Sequence, residues 1–529
     1  MYKLPIEYHA RYLTPSSMIT DLELVKGVGD SMYECLFAPK TENARKMLGE
    51  WAKFYTDDKK FLKDTVALAR GFEKAHYDPA PFTEQWAELQ TAPEFLAMHQ
   101  YMEYEWLAFL NTNATFLLIM TVYSMLNPVL FILSPLIMLL VPFALIKMKG
   151  VHITWPQYKE ALMGVMQKHA IGGLFIGFRS ADAHQRMYMI MTAGLFGVQL
   201  YANVHMCVRF YKNIRKMYGL LAEARRYLET ALADMRKFEA LAARKKSYAA
   251  YLADHSAVRQ TLERFLSEIP ESYLQIGTMR KLFYQMRTDA ELIQAMEYSF
   301  KAHAYMENMA ALNEALKTGR LAACSFSRRT AFKGVRYPLS NFKPNSFEVD
   351  NCIITGPNAS GKTTLIKTAM LNILFSQQVG MGFYTSAKIA PYQSLCCYIN
   401  IPDTSGRDSL FQAEARRCKE ILDLIQKGRT FCIFDELFSG TNPGEATASA
   451  YAFLEYLKSF PQFSFMLTTH FFELCDRCTW LEKRHMRTLE PLTYTYEFAE
   501  GVCRIKGGVH VLKELGFPAS IIDCAKRYV

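Results

Sequence analysis

The sequence predicts a multidomain chain: an α-helical N-terminal and lever region carrying a hydrophobic hairpin, followed by an α/β domain built on a largely parallel sheet. Three observations carry this. Over residues 324–529, strand-like runs alternate with helical patterns, as expected of strands joined by crossover helices. From Leu107 to Ile146, 40 residues pass without one charged side chain. In the rest of the region before residue 324, apolar residues recur at three- and four-residue intervals between Lys, Arg, Asp and Glu, the pattern of amphipathic helices.

At 529 residues the chain is long enough for several domains. Half of its residues are hydrophobic and 13% are aromatic, which excludes a disordered protein. The formal charge of +10 favours a polyanionic partner only weakly, because it is spread over the whole chain. The twelve cysteines are scattered. Cys475 and Cys478 make one CxxC and Cys396-Cys397 are adjacent, but no second pair stands at zinc-ligand spacing, so they read as small buried core residues. Met1–Pro15 is polar and broken by proline, unlike a signal peptide.

In chain order, residues 1–105 read as a helical region, with a helix start at Thr20-Asp21 and helical periodicity over Glu42–Tyr55 and Lys59–Lys74. Residues 106–208 form the hydrophobic region. About 20 apolar residues cross a bilayer, so two spans fit its charge-free part: Leu107–Met125 and Val129–Ile146, joined at Asn127-Pro128. Pro128, Pro135 and Pro142 recur every seven residues, which a membrane helix tolerates better than a soluble one. A buried helix pair in a soluble core is the competing reading. Met187–Val208 is also long enough to span, but it carries Gln199, Asn203 and His205 and reads as a packed or interfacial helix. Residues 209–323 read as a helical lever or stalk, with Glu223–Leu252 as one long helix and Pro270 and Gly277 as punctuation. Its basic groups, Arg225-Arg226 and Arg244-Lys245-Lys246, read as solvated faces rather than a nucleic-acid surface.

The α/β domain, residues 324–529, holds the chemistry. Its strand-like runs are Phe347–Val349, Cys352–Thr355, Ser394–Asn400, Thr430–Phe434 and Ser464–Leu467. Helical patterns cover Thr364–Phe375, Leu410–Gln426 and Glu445–Lys458. Between the strand Cys352–Thr355 and the first helix stands Gly356-Pro357-Asn358-Ala359-Ser360-Gly361-Lys362-Thr363, which fits G-x-x-x-x-G-K-[ST] at every fixed position. The glycines allow a tight turn that aims backbone N–H groups at phosphate oxygens. Lys362 brings positive charge to the β- and γ-phosphates, and Thr363 offers a hydroxyl to Mg²⁺. The helix N-terminus adds its partial positive charge. Downstream, Asp435 and Glu436 follow a four-residue apolar strand, at the carboxyl end where open α/β sheets place ligands. Asp435 suits Mg²⁺ and Glu436 suits polarising a water. His470 ends another strand and suits sensing the γ-phosphate. Ser409 stands at a helix start, where a hydroxyl meets phosphate readily. A nucleotide site together with free thiols points to a reducing, cytosol-like compartment.

Taken in order, these pieces resemble the ATPase of the MutS family of DNA mismatch repair proteins, within the wider ABC-type ATPases. Gly356–Thr364 is similar to that family's phosphate loop, and Ser409–Glu414 to its S-x-F-x-x-E signature. Asp435-Glu436 with Gly440-Thr441 resembles its D-E-x-x-x-G-T run, and Thr469–Leu474 its T-H-[YF]-x-E-L run. The tail from Gly507 through Pro518 to Ile522 resembles its ending, and Gly334–Pro338 its G-R-H-P entry. The resemblance covers about 200 residues. It implies ATP and Mg²⁺ as ligands, with Gly356, Pro357, Asn358, Ala359, Ser360, Gly361, Lys362, Thr363 and Thr364 as the nucleotide-binding set. It implies Thr363 and Asp435 on the metal, Glu436 as catalytic base and His470 as sensor. Ser409 would reach the nucleotide of a partner subunit, so the active form would be a homodimer, or a heterodimer with a related ATPase. Ala359-Ser360-Gly361-Lys362-Thr363 replaces the family's usual Met-Gly-Gly-Lys-Ser with the ligands kept. Leu437-Phe438-Ser439 replaces a more glycine-rich stretch.

No mismatch-reading domain with a Phe-x-Glu wedge is legible, and the hydrophobic segment is foreign to the repair proteins. The first expectation is therefore a membrane-associated MutS-like ATPase coupled to DNA, with its ATPase domain on the cytosolic side. The alternatives are a soluble cytoplasmic or nuclear DNA clamp, and a membrane-anchored regulatory ATPase with a protein or membrane partner in place of DNA. An ATPase of the chromosome-organising type is excluded, because no arm fits between Lys362 and Asp435.

Overall fold

A computed structural model describes residues 2–27, 29–74, 77–150, 154–168, 178, 181–339, 343–399, 401, 409–426, 428–489, 493–505 and 507–528. Two compact units interleave along the chain: Met1–Asp78 with Thr230–Gln260 and Glu297–Val529, and Pro79–Glu229 with Thr261–Met296.

The first unit is organised by a six-stranded sheet. Its spatial order is Thr493–Glu500, Glu482–Leu489, Cys352–Thr355, Phe463–Thr468, Thr430–Asp435 and Ser394–Tyr398. All neighbours are parallel except the first pair. Cys352–Thr355, Ser394–Tyr398 and Thr430–Phe434 are buried at every position, as strands covered on both faces must be, and this is why they read as continuous apolar runs. The central strands Cys352–Thr355, Phe463–Thr468 and Thr430–Asp435 lie side by side. Their carboxyl ends therefore bring three loops together: those following Thr355, Thr468 and Asp435. A smaller sheet in the same unit runs Asn345–Glu348, Ala331–Val335, Ser386–Ile389, Ala322–Phe326 and Met381–Gly382.

The helix Lys362–Val379 leaves the phosphate loop and is almost wholly buried. Its last turn carries two buried glutamines. Gln377 Nε2 donates to Thr56 O (3.1 Å) and Tyr392 O (2.8 Å), and Gln378 Nε2 donates to Trp51 O (2.8 Å) and Phe54 O (2.9 Å). Tyr33 Oη donates to Gln378 Oε1 at 3.0 Å. The N-terminal segments thus pack onto this helix. They include the helices Met32–Phe37, Glu42–Trp51 and Lys59–Gly71.

In the second unit the sequence expectation of two spans joined at Asn127-Pro128 is not met. Glu105–Thr112 is a 3₁₀ turn, and Ala114–Met148 is one continuous 35-residue helix capped by Asn113, whose side chain accepts from Phe116 N. The helix runs through the prolines. Each removes only one N–H, and a seven-residue spacing returns to nearly the same face, so the lost bonds fall along one side. A 60-residue helix, Ala183–Ala242, follows, and the division between the units falls inside it. Its first part runs antiparallel to Ala114–Met148: Phe131 stacks on Phe196 with centroids 4.5 Å apart, and Cys207 Sγ lies 3.8 Å from Met125 O.

The expected single helix Glu223–Leu252 is also broken. The helix stops at Ala242, a 3₁₀ turn covers Lys246–Tyr248, and Ala249–Glu268 resumes. The turn swings Tyr248 into full burial against Phe61, with centroids 5.5 Å apart, and this contact outweighs the helical propensity of the Arg244-Lys245-Lys246 run.

Candidate nucleotide-binding site

The loop after Cys352–Thr355 turns through three positive φ angles, at Gly356 (+151°), Ala359 (+62°) and Gly361 (+94°). Only Gly fits the first position, where a Cβ would lie 2.8 Å from Ser360 Oγ. Pro357 and Ser360 are buried, while Asn358 and Ala359 are exposed at the tip. Ser360 Oγ is buried with no hydrogen-bond partner among the described residues, an acceptor and donor waiting inside the loop.

Lys362 is 5% exposed. Its Nζ donates to Gly356 O (3.0 Å) and Pro357 O (3.3 Å) and lies 3.1 Å from His470 Nε2. Burial lowers its pKa, while Glu436 and Asp435 act in the opposite direction. Thr363 Oγ1 lies 2.9 Å from Asp435 Oδ2 and 3.1 Å from Oδ1, so two hard oxygen donors from different elements converge. Thr364 lies one position on, at the first turn of the helix, and lines a separate pocket described below.

Asp435 is held from a second side. Thr468 Oγ1 donates to its Oδ1 at 2.5 Å and also lies 3.2 Å from Glu436 N, as an acceptor. Glu436 turns out of the strand at φ +52°, a left-handed conformation that an unbranched carboxylate side chain adopts only under constraint. Its Oε1 lies 2.8 Å from His470 Nε2. That hydrogen bond is the main cause of a pKa below the usual carboxylate range. One ring nitrogen cannot donate and accept at once. With Glu436 ionised, Nε2–H donates to it, and the Lys362 protons remain on the loop carbonyls. Glu436 and His470 are both partly open to solvent.

Ser409 is not part of this cluster. It caps the helix Leu410–Ile425: its hydroxyl accepts from Gln412 N and the Gln412 side chain accepts from its N–H, a reciprocal capping box. Its side chain faces solvent. The signature's other polar residue acts within the chain. Glu414 is 3% exposed and accepts from Gly440 N (3.1 Å) and Ser439 Oγ (3.3 Å), which fixes the loop after Glu436. Phe411 packs on Phe438 in the same place, with centroids 5.6 Å apart.

Sequence reasoning missed Thr468 and a pocket beside the loop. The pocket is lined by Tyr337, Asn345, Gly361, Thr364, Met486 and Tyr496, among others. Tyr496 has φ +57° and is held by Asn345, whose Nδ2 donates to Tyr496 O at 3.0 Å and whose Oδ1 accepts from Phe498 N at 2.9 Å. The aromatic alternation of Tyr494, Tyr496 and Phe498 is the signal that marked this strand.

Asp435 and Thr363 supply oxygen donors suited to Mg²⁺, and Thr468 holds the Asp435 carboxylate in place. The buried ammonium of Lys362, the unpartnered Ser360 hydroxyl and the N-terminus of an 18-residue helix suit a polyphosphate. Comparisons with known proteins match the same part of the chain. Residues 352–529 match the family model described as MutS domain V. The DNA mismatch repair protein MutS of Lactococcus lactis subsp. cremoris is 28% identical over 306 residues, which is 51% of this chain and 36% of that protein. MutS of Streptococcus gordonii is 30% identical over 197 residues, or 34% of this chain and 23% of that protein. Endonuclease MutS2 of Fusobacterium nucleatum is 30% identical over 198 residues, or 35% and 25%. The chain spans about a third or less of the length of these relatives. Over residues 352–529 the chain matches the MutS family.

Proposed function

We propose that this chain binds ATP with Mg²⁺ and hydrolyses it as a dimer, with itself or with a related ATPase, and that its nucleotide state governs binding to DNA. The observation that carries the reading is the convergence of Lys362, the Thr363–Asp435 oxygen pair and the Glu436–His470 pair at the carboxyl ends of adjacent strands. In this reading the loop N–H groups from Gly356 to Thr364 and the Lys362 ammonium hold the phosphates. Thr363 and Asp435 hold Mg²⁺, which supplies charge neutralisation on the phosphate oxygens. Glu436, kept ionised, orients a water for attack on the γ-phosphorus. A water-oxygen–phosphorus bond forms and the bond from that phosphorus to the β–γ bridging oxygen breaks. The water proton passes to Glu436 or to phosphate. His470, hydrogen-bonded to Glu436 and adjacent to Lys362, is placed to register the γ-phosphate. Ser409 stands apart from its own chain's site on an exposed helix start, which supports a role on the partner's nucleotide.

The names of the relatives support mismatched DNA as the target. A second reading, a membrane-anchored regulatory ATPase without mismatch recognition, is favoured by one observation: the segment Ala114–Ser134 is long and apolar enough to cross a membrane, and only 17% of its most apolar window is buried. In it the ATP site lies on the cytosolic side. The DNA-coupled reading stands with the chain membrane-associated or soluble, in cytoplasm or nucleus. A salt-titrated binding assay with homoduplex, mismatched and branched DNA, with and without ATP, decides between the two. DNA coupling predicts affinity that falls linearly on a log–log salt plot and changes with ATP. No salt-dependent binding to any of the three DNAs would contradict it.

A further inference from the structure

We infer that residues 114–148 and 187–208 form an antiparallel, two-span hairpin in a lipid bilayer. The inference rests on the second reading above for the bilayer and is independent of the ATP site.

Exposure comes first. A helix of a soluble protein buries one apolar stripe. Here each helix is apolar well beyond the stripe it buries. On the first, Ile119, Ile132 and Leu145 are 61, 53 and 54% exposed, and on the second, Ile190, Leu195 and Val198 are 58, 61 and 66% exposed. On the first helix these positions are spread around the axis, so one docking partner on one side leaves the rest in water.

Length comes second. Met187–Val208 is 22 residues without Asp, Glu, Lys or Arg, bounded by Arg186 and Arg209. At 1.5 Å per residue it is about 33 Å long, against a hydrocarbon thickness of about 30 Å. The contacts Phe131–Phe196 and Met125–Cys207 set it antiparallel and level with the charge-free part of Ala114–Met148. Lys147 and Arg186 therefore belong to one end of the pair and Arg209 to the other. Aromatic side chains flank both ends of the first helix. Trp106 precedes it, 75% exposed, and Trp155 follows it and packs on Phe143 at 5.4 Å. Such rings favour the bilayer–water interface.

The polar groups come third, because lipid leaves none of them a water partner. Thr121 Oγ1 donates to Leu117 O (2.7 Å), Ser134 Oγ to Phe131 O (2.8 Å) and Thr192 Oγ1 to Tyr188 O (2.6 Å). Gln199 Nε2 donates to Asn203 Oδ1 at 3.1 Å. At the start of the first helix, the buried Arg280 guanidinium donates to Thr121 Oγ1 (3.1 Å), His99 O (2.9 Å) and Gln100 O (2.9 Å). It ties the helix to the segment preceding it. Basic residues stand at both ends, six Lys or Arg over 147–186 and four over Arg209–Lys216, so the orientation follows from the second reading, in which the chain after Arg209 leads to the cytosolic ATP site. Two crossings return the chain to the side it left.

The test uses the full chain expressed in cells. Membranes are extracted with carbonate, and the variants Lys149→Cys and Lys212→Cys are treated in intact cells with a membrane-impermeant maleimide and compared with the parent chain. The expected result is retention in the carbonate pellet, with K149C labelled from outside and K212C labelled only after lysis. Retention with both positions labelled from the same side overturns the spanning topology. Release by carbonate, or recovery as a soluble dimer with the helices covered by a second copy, overturns the bilayer as the occupant. None of these readouts depends on ATP turnover, so failure here leaves the nucleotide reading standing.

Discussion

Asp435 has two protein partners, and only one was legible. Thr363 belongs to a recognisable motif, so its meeting with Asp435 at 2.9 Å followed from strand, loop and helix order. Thr468 sits on the adjacent strand, paired with Asp435 in parallel register, and nothing in a one-dimensional reading marks it. It donates to the Asp435 carboxylate at 2.5 Å and accepts from Glu436 N, so it sets both acidic side chains at once. Thr468→Val keeps the shape and removes the hydroxyl. It is expected to lower ATP turnover about tenfold, equivalent to ~1.4 kcal/mol, with the defect deepest at low Mg²⁺ and the melting temperature little changed. Phosphate release across a Mg²⁺ titration measures this, and a variant matching the parent at every Mg²⁺ concentration would remove Thr468 from the account. Ser409 shows the converse. Its residue type at a helix start was legible, yet the structure uses its hydroxyl as a cap and leaves it away from Lys362's cluster.

Among the elements, the fully buried strands were read closely because their composition is unmistakable, with Thr430–Asp435 extending the expected Thr430–Phe434 by one residue, whereas the half-exposed Glu482–Leu489 and Thr493–Glu500 were missed. The helix after the phosphate loop was read as Thr364–Phe375 and runs over Lys362–Val379. Its end is set by Gly380 at φ +73°, and its last turn is held by Thr56, Trp51 and Phe54, more than 300 residues away in sequence. No local pattern encodes such partners. A Cβ on Gly380 would lie 2.6 Å from Val66 Cγ2 and 2.7 Å from Leu62 O. Gly380→Ala combines a left-handed backbone with that clash and is expected to destabilise by roughly 2–4 kcal/mol. Denaturant unfolding checks it, and a loss under about 0.5 kcal/mol would show that the N-terminal helices do not pack there as described. The hydrophobic region was misread as an element. Its apolar composition was evident, but proline at Asn127-Pro128 was taken for a turn. In a long helix a proline costs one hydrogen bond and a kink, not the helix, and the segment that packs antiparallel on Ala114–Met148 is the helix that begins at Ala183.

On the scale of the whole molecule, consecutive segments of sequence do not map onto compact units. Residues before Asp78 and the stretch Thr230–Gln260 join Glu297–Val529 in one unit, because burial and long-range hydrogen bonds decide membership and chain order does not. The motif residues of the proposed nucleotide site nevertheless sit in one continuous stretch, residues 356–470, which is why motif reading could gather them. Its positions outside motifs, Thr468, Asn345 and Tyr496, depend on tertiary neighbours. The central claim is that Glu436 activates water over a Mg²⁺–nucleotide bound by Lys362, Thr363 and Asp435. The direct measurement compares the parent chain and Glu436→Gln for binding of a fluorescent ATP analogue and for phosphate release. The account predicts binding within a few-fold of the parent and phosphate release lowered by at least about 100-fold. Phosphate release by Glu436→Gln at the parent's rate would contradict it.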